Sequence, residues 1–224
     1  NRQDMSPNSQ PNGGFMPSKR TSPPLLPILF VLGILLVTLI PPPQAGATSE
    51  LPFETHFPQE ISQTDFGSTF GAARSGGRRH KGNDLMAPKM TPVYAFADGI
   101  VDTITVSGNA GRYVTINHAD GWSSTYMHLN NDTPGTDDGR ADWQLTVAPG
   151  IEVGAVVFGG QLIGYVGDSG NAEWTGSHTH FELRHNGVAV NPYALLEEAA
   201  ERAERGVADT LWRMAAPVDP DLMS

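Results

Sequence analysis

Asp98-Gly99-Ile100-Val101-Asp102-Thr103-Ile104-Thr105-Val106 opens the stretch that decides the fold. Ser107–Gly111 then reads as a turn, and Tyr113-Val114-Thr115-Ile116-Asn117-His118 as a second β-branched run. Ala119-Asp120-Gly121 turns again, and Trp122–His128 follows, with large apolar groups at Trp122, Tyr126 and Leu129. Branched and aromatic side chains suit a pleated, half-buried surface. Asp-Gly suits a tight hairpin connection. Short runs of this kind between such turns predict an antiparallel meander.

The same texture extends outward. Pro92–Ala97 predicts a strand before Asp98-Gly99. Two shorter strands are expected near Val153–Phe158 and Leu162–Val166, on either side of Gly159-Gly160. Asn191-Pro192 marks a helix start, because Asn caps well and Pro fits the first turn. Glu198–Arg202 and Glu201–Arg205 are favourable i,i+4 pairs, and Gly206 is the expected stop. The fold class expected is mainly β, an antiparallel sheet core with a short C-terminal helix.

The first third of the chain reads differently. Residues 1–18 are polar and rich in Pro, Asn and Ser. Lys19-Arg20 leads into the apolar stretch Leu25–Ile40 and then to Ala45-Gly46-Ala47. This is the layout of a secretory signal, with cleavage expected after Ala47. The run Ile28–Ile40 is thirteen residues, short of the ~20 that span a bilayer, so a membrane anchor is the lesser expectation. The organisation expected is therefore an extension and signal over 1–47, a lead-in over 48–65, a core domain over 66–196, and the rest of the helix and a tail over 197–224. The mature part would work outside the cytoplasm, secreted or in the cell envelope, without stable membrane insertion.

Composition narrows the function. The net charge is −10, and the cations before Ala47 leave residues 48–224 at −12. Phosphate is repelled by such a surface, so nucleic acid is not an expected partner. There is no cysteine. Any metal must therefore be held by histidine and carboxylate. The 25 Gly and 18 Pro fit a strand-and-loop protein better than a helical bundle. Nothing in the sequence fixes an oligomeric state.

Three elements carry chemistry. Gly176-Ser177-His178-Thr179-His180-Phe181-Glu182-Leu183 alternates as a strand does, so His178 and His180 share a face. In His80-Lys81-Gly82-Asn83-Asp84 a histidine and a carboxylate flank a glycine, which by taking φ > 0 would curl both ends toward one point. Tyr126-Met127-His128-Leu129 ends a strand on a histidine. His118 beside its turn is a further candidate neighbour, and His56 has nothing of ligand spacing near it. A catalytic zinc takes three N or O ligands and keeps one position open. Asp84 and two histidines meet that requirement and leave two histidines for proton transfer. Spacing alone does not say which are which.

His80-x-x-x-Asp84, Tyr126-x-His128-Leu129 and His178-x-His180, in that order, resemble the M23 zinc peptidases of the lysostaphin or LytM type. Phe70-Gly71 before Arg74, Ala87-Pro88, Thr91-Pro92-Val93, Gly160-Gln161-Leu162-Ile163-Gly164 and Asn191-Pro192 agree with that likeness. The resemblance runs from Phe66 to Leu196. It implies His80, Asp84 and His180 as zinc ligands, with His128 and His178 acting on the water and the tetrahedral intermediate. It further implies hydrolysis of peptide bonds in peptidoglycan stems or cross-bridges. The alternative within the same family is a regulator of other wall hydrolases, whose members typically lack ligands or catalytic histidines. Thr179 stands where the family commonly has an apolar residue, and an outward position is expected for it. The long polar loop Asn130–Ala148 is expected to form one wall of the groove, and trimming Asn131–Gly139 is expected to alter substrate preference more than thermal stability. Its acidic run lacks the spacing of an EF-hand.

Overall fold

The computed structural model describes residues 51–215; the signal sequence read at the N-terminus lies outside them. In chain order the strands are β1 (Asp65–Phe66), β2 (Asn83–Met86), β3 (Pro92–Tyr94), β4 (Gly99–Ser107), β5 (Gly111–Asn117), β6 (Trp122–Leu129), β7 (Val156–Val157), β8 (Leu162–Tyr165), β9 (His178–His185) and β10 (Val188–Val190). One helix, α1 (Tyr193–Ala215), follows.

The main sheet runs β1-β2-β9-β6-β5-β4-β7, each neighbouring pair antiparallel, with β10 also paired antiparallel to β9. The meander expected from the sequence is β4-β5-β6. Its β5–β6 turn uses Asp120 at φ 52° and Gly121 at φ 75°, the conformation for which Asp-Gly is suited. Asp98-Gly99 behaves otherwise. β3 leaves the main sheet and pairs with β8, so this link crosses between two sheets and is no hairpin. A side chain at Gly99 would meet the carbonyl oxygen of Asn117 at 2.4 Å, which explains the glycine by close approach.

The core lies on one face of the main sheet. On β9 the odd positions Thr179, Phe181 and Leu183 are fully buried, while the even positions carry the histidines. Phe181 packs against Phe96 at 5.2 Å and Tyr126 at 5.4 Å between ring centroids. Val93 of β3, Ile163 of β8 and Leu196 of α1 complete the same cluster. Thr179 is thus inside, not outward, and its hydroxyl is buried without a hydrogen-bond partner. Strand period alone requires this: if the two histidines face the groove, the residue between them must face the core.

The C-terminal helix starts as expected. The Asn191 side chain accepts a hydrogen bond from the Tyr193 amide at 3.1 Å. It does not stop at Gly206 but continues to Ala215. A mid-helix glycine costs only about 1 kcal/mol against alanine, and Ala203-Glu204-Arg205 before it and Val207-Ala208 after it are tolerated in helices. β7 is shorter than the strand expected at Val153–Phe158, because Gly154 turns at φ 90° just before it.

Candidate metal centre

β2 and β9 pair so that Asp84 stands directly across from His180, and Met86 from His178. The loop before β2 is folded back on itself, with the His80 amide donating to the Ala72 carbonyl at 2.9 Å. It delivers His80 to the same place. Gly82 permits this without the positive φ that the sequence suggested: a side chain there would strike the Phe181 carbonyl oxygen at 2.2 Å. Its role is close approach of the chain to β9.

Three ligand atoms converge. His80 Nε2 lies 2.8 Å from His180 Nδ1 and 3.1 Å from Asp84 Oδ1, and His180 Nδ1 lies 2.9 Å from that same oxygen. In a four-coordinate zinc site with bonds of about 2.0–2.1 Å, ligand atoms stand roughly 3.4 Å apart. The triangle therefore fits zinc after opening by a few tenths of an ångström.

The far sides of the rings set the tautomers. His80 Nδ1 donates to the Thr69 carbonyl at 2.8 Å, leaving Nε2 as the lone-pair nitrogen. His180 Nε2 is 3.3 Å from Glu182 Oε1 and donates to it, leaving Nδ1 for a metal. Glu182 is in turn paired with Arg184. A carboxylate behind a ligating imidazole is the usual partner of such a ligand. Burial alone would raise the Asp84 carboxyl. When His180 also carries a proton on Nδ1, its hydrogen bond and charge, with His80 and Arg74 beside them, hold the carboxyl well below the usual range; when Nδ1 is left to a metal, the Arg74 donation remains. Asp84 is ionised and ready to bind a cation. Arg74 donates to its outer oxygen Oδ2 at 2.7 Å.

His128 and His178 stand beside the triangle, their rings 5.0 Å apart. Each has Nδ1 tied to a backbone carbonyl, His128 to Ser169 at 2.8 Å and His178 to Gly176 at 2.7 Å. Both Nε2 atoms are thereby left as acceptors in the neutral form. Burial pushes the His128 imidazole down to about 4, against the Ser169 hydrogen bond and aided by the neighbouring His178 and His180. His128 sits at φ 62°, a left-handed conformation unusual for a non-glycine residue, at an irregularity in the β5–β6 pairing. Such conformations concentrate at functional sites.

All five site residues expected from the sequence line one groove of about 1270 Å³. His118 is not among them. Its Nδ1 donates to the Asp98 carbonyl and its Nε2 lies 2.8 Å from the Ser124 hydroxyl, so it is a structural histidine. The loop Asn130–Ala148 does not line the groove either. Asn131, Gly139 and Trp143 border a neighbouring cavity of about 480 Å³, which shares Ser107 with the groove. Asp132 is buried and bonded to Lys89, so this loop is anchored and not a free wall.

Comparison with known proteins gives the family. The profile of peptidase family M23 matches residues 78–139 and 144–192, and the chain belongs to that family. It is 35% identical over 143 residues to the DD-carboxypeptidase/endopeptidase Mpg of Neisseria meningitidis, covering 60% of this chain and 29% of that protein. It is 33% identical over 134 residues to the murein hydrolase activator NlpD of Escherichia coli, covering 58% and 28%. Among solved structures it is similar to the catalytic domain of the prophage-encoded M23 protein EnpA from Enterococcus faecalis. The identity is 33%, over 62% of this chain and 95% of that one, with a TM-score of 0.46. The chain spans under a third of the length of these two curated relatives.

Proposed function

We propose that this chain is an exported zinc endopeptidase that hydrolyses peptide bonds in peptidoglycan stems or cross-bridges. His80, Asp84 and His180 would hold the zinc. Bound there, zinc supplies Lewis acidity toward the scissile carbonyl and lowers the pKa of water. The chain's own residues supply the rest. Neutral Nε2 of His128 or His178 accepts the proton of the attacking water as the carbon–oxygen bond forms. The protonated imidazole donates to the developing oxyanion, and the proton then passes to the leaving amine as the carbon–nitrogen bond breaks.

The observation that carries this reading is the pairing of a three-atom ligand triangle with two imidazoles whose Nδ1 atoms are both pinned by carbonyls. A ligand-binding wall module has no need of the second feature. The likeness to NlpD supports a second reading, in which the domain activates other hydrolases without cutting. Among the described residues no helix is long and apolar enough to cross a membrane. An extracytoplasmic location rests on the leader read in the sequence and on relatives named for peptidoglycan and murein.

The test is mass spectrometry of fragments released from purified peptidoglycan, with and without a zinc chelator. Chelator-sensitive release of new peptide ends supports the enzyme and names the bond. No release from several wall types by zinc-loaded protein would favour the activator.

A further inference from the structure

The groove has one basic side. Residues 71–80 form a small hairpin: the Arg74 amide donates to the Arg78 carbonyl at 3.0 Å and the Gly71 amide to the His80 carbonyl at 2.9 Å. Ala73 and Arg79 bridge across it. Its tip, Ser75-Gly76-Gly77, has φ of 71° and 73° at the glycines, with open space around both. The arm therefore projects from the sheet and carries Arg74, Arg78 and Arg79, with Lys81 directly after it. All four line the groove and all are exposed.

Arg74 is engaged by Asp84. The others are not in ion pairs. Arg78 donates only to Ser75, and Arg79 to the Gly71 carbonyl. Among the described residues no carboxylate lies within ion-pair range of Arg78, Arg79 or Lys81. The hairpin feeds β2, on one side of β9 and β6 in the sheet order; the β4–β5 turn lies on the other. Ser107, Asn109 and Ala110 of that turn line the groove, as do Asn171, Ala172 and Thr175, and none of them is charged. A chain of net charge −10 thus gathers three free cations on one wall of its groove and leaves the far wall neutral. An extended peptide crossing the ligand triangle must lie against both walls.

We infer that the hairpin wall is a carboxylate-binding subsite. The groove selects acidic peptides, with a free carboxylate within a few residues of the scissile bond, over neutral glycine bridges. The inference rests on the peptidase reading above. Each guanidinium matches a carboxylate as a planar two-point donor, and open space around the glycine tip leaves room for a ligand beside it. Exposed cations of this kind act on capture of the substrate and respond to salt.

The test uses the zinc-loaded chain and matched stem peptides that differ only in whether their carboxylates are free or amidated. Binding is measured by calorimetry on non-hydrolysable analogues, and kcat/KM on cleavable ones. The acid form is expected to bind about tenfold tighter, with the difference residing in KM. The Arg78→Gln/Arg79→Gln double variant, checked for an unchanged melting curve, is expected to lose that discrimination, and Lys81→Gln to lose part of it. Raising salt to about 0.5 M is expected to shrink it. Equal affinity for the two forms, or a preference that survives in the double variant, overturns the subsite. Tighter binding of the acid form without cleavage of either peptide keeps the subsite and overturns the peptidase. Equal binding with equal cleavage does the reverse.

Discussion

Glu182 lies 3.3 Å from Nε2 of His180 and so decides which nitrogen of His180 faces Asp84. The carboxylate is buried, and burial alone would raise it. The hydrogen bond from His180 and the charge of Arg184 keep it lowered and ionised. Glu182→Ala should weaken zinc binding about 10–100-fold, the usual cost of losing such an outer partner. Zinc titration against a competing chelator measures this. Unchanged affinity would mean that something else orients the ring.

His178 and His180 are two residues apart on one face of β9 yet have opposite expected roles. His180 belongs to the ligand triangle, whereas Nε2 of His178 stands 3.8 Å from Asp84 Oδ1 with Nδ1 held by Gly176. His180→Ala should lose both metal and turnover, because two remaining ligands hold zinc poorly. His178→Ala should keep its metal and lose at least 100-fold in kcat, roughly the contribution of a general base. Metal analysis beside the kinetics separates the two. An empty His178→Ala with a full His180→Ala would invert the assignment.

Lys89 ties the long loop to the wall behind the site. Its ammonium donates to Asp132 and Asp137 at 2.7 Å and pairs with Asp168 at 2.8 Å. Asp132 and Asp168 are buried, and Asp168 precedes Ser169, whose carbonyl holds His128. Lys89→Met would strand two buried carboxylates. A loss of roughly 3 kcal/mol is expected, the scale for breaking a buried pair. In a domain of this size that lowers Tm by about 6–12 °C. Deleting Asn131–Gly139 should likewise cost stability, contrary to what the loop's polar composition suggests. A melting curve unchanged in Lys89→Met would show that the pairs contribute nothing net.

What the sequence made legible was what periodicity encodes. The alternation around His178 placed both imidazoles on one face, and the same period puts Glu182 beside them, a signal present but unread. The meander was legible because its branched runs end at real turns. The carbonyls of Thr69, Ser169 and Gly176 had no signal, since every residue has one. Gly82 and Gly99 look like turn formers in the sequence, whereas each serves close approach to another strand, a fact of tertiary packing. The anchoring of the loop was hidden for the same reason: Lys89 and Asp132 are 43 residues apart in sequence.

His118 gives the fold a pH dependence separate from the site. Burial lowers its pKa, only partly opposed by the hydrogen bond to the Asp98 carbonyl and by the Asp98 charge. Phe53 covers the ring at 5.3 Å. The unfolded chain, with an ordinary histidine near 6.5, takes up the proton first as pH falls. Stability from the neutral ring is thus complete above about 6.5 and is lost as pH falls toward the lowered folded value. His118→Gln should be less stable than the parent at pH 7.5, because the Asp98 and Ser124 contacts are disturbed. The gap should narrow by pH 5, since only the parent then works against protonation. Urea denaturation at the two pH values, with metal removed from both proteins, reads this directly. A gap that does not change with pH would mean that His118 is protonated as readily in the folded protein as in the unfolded chain.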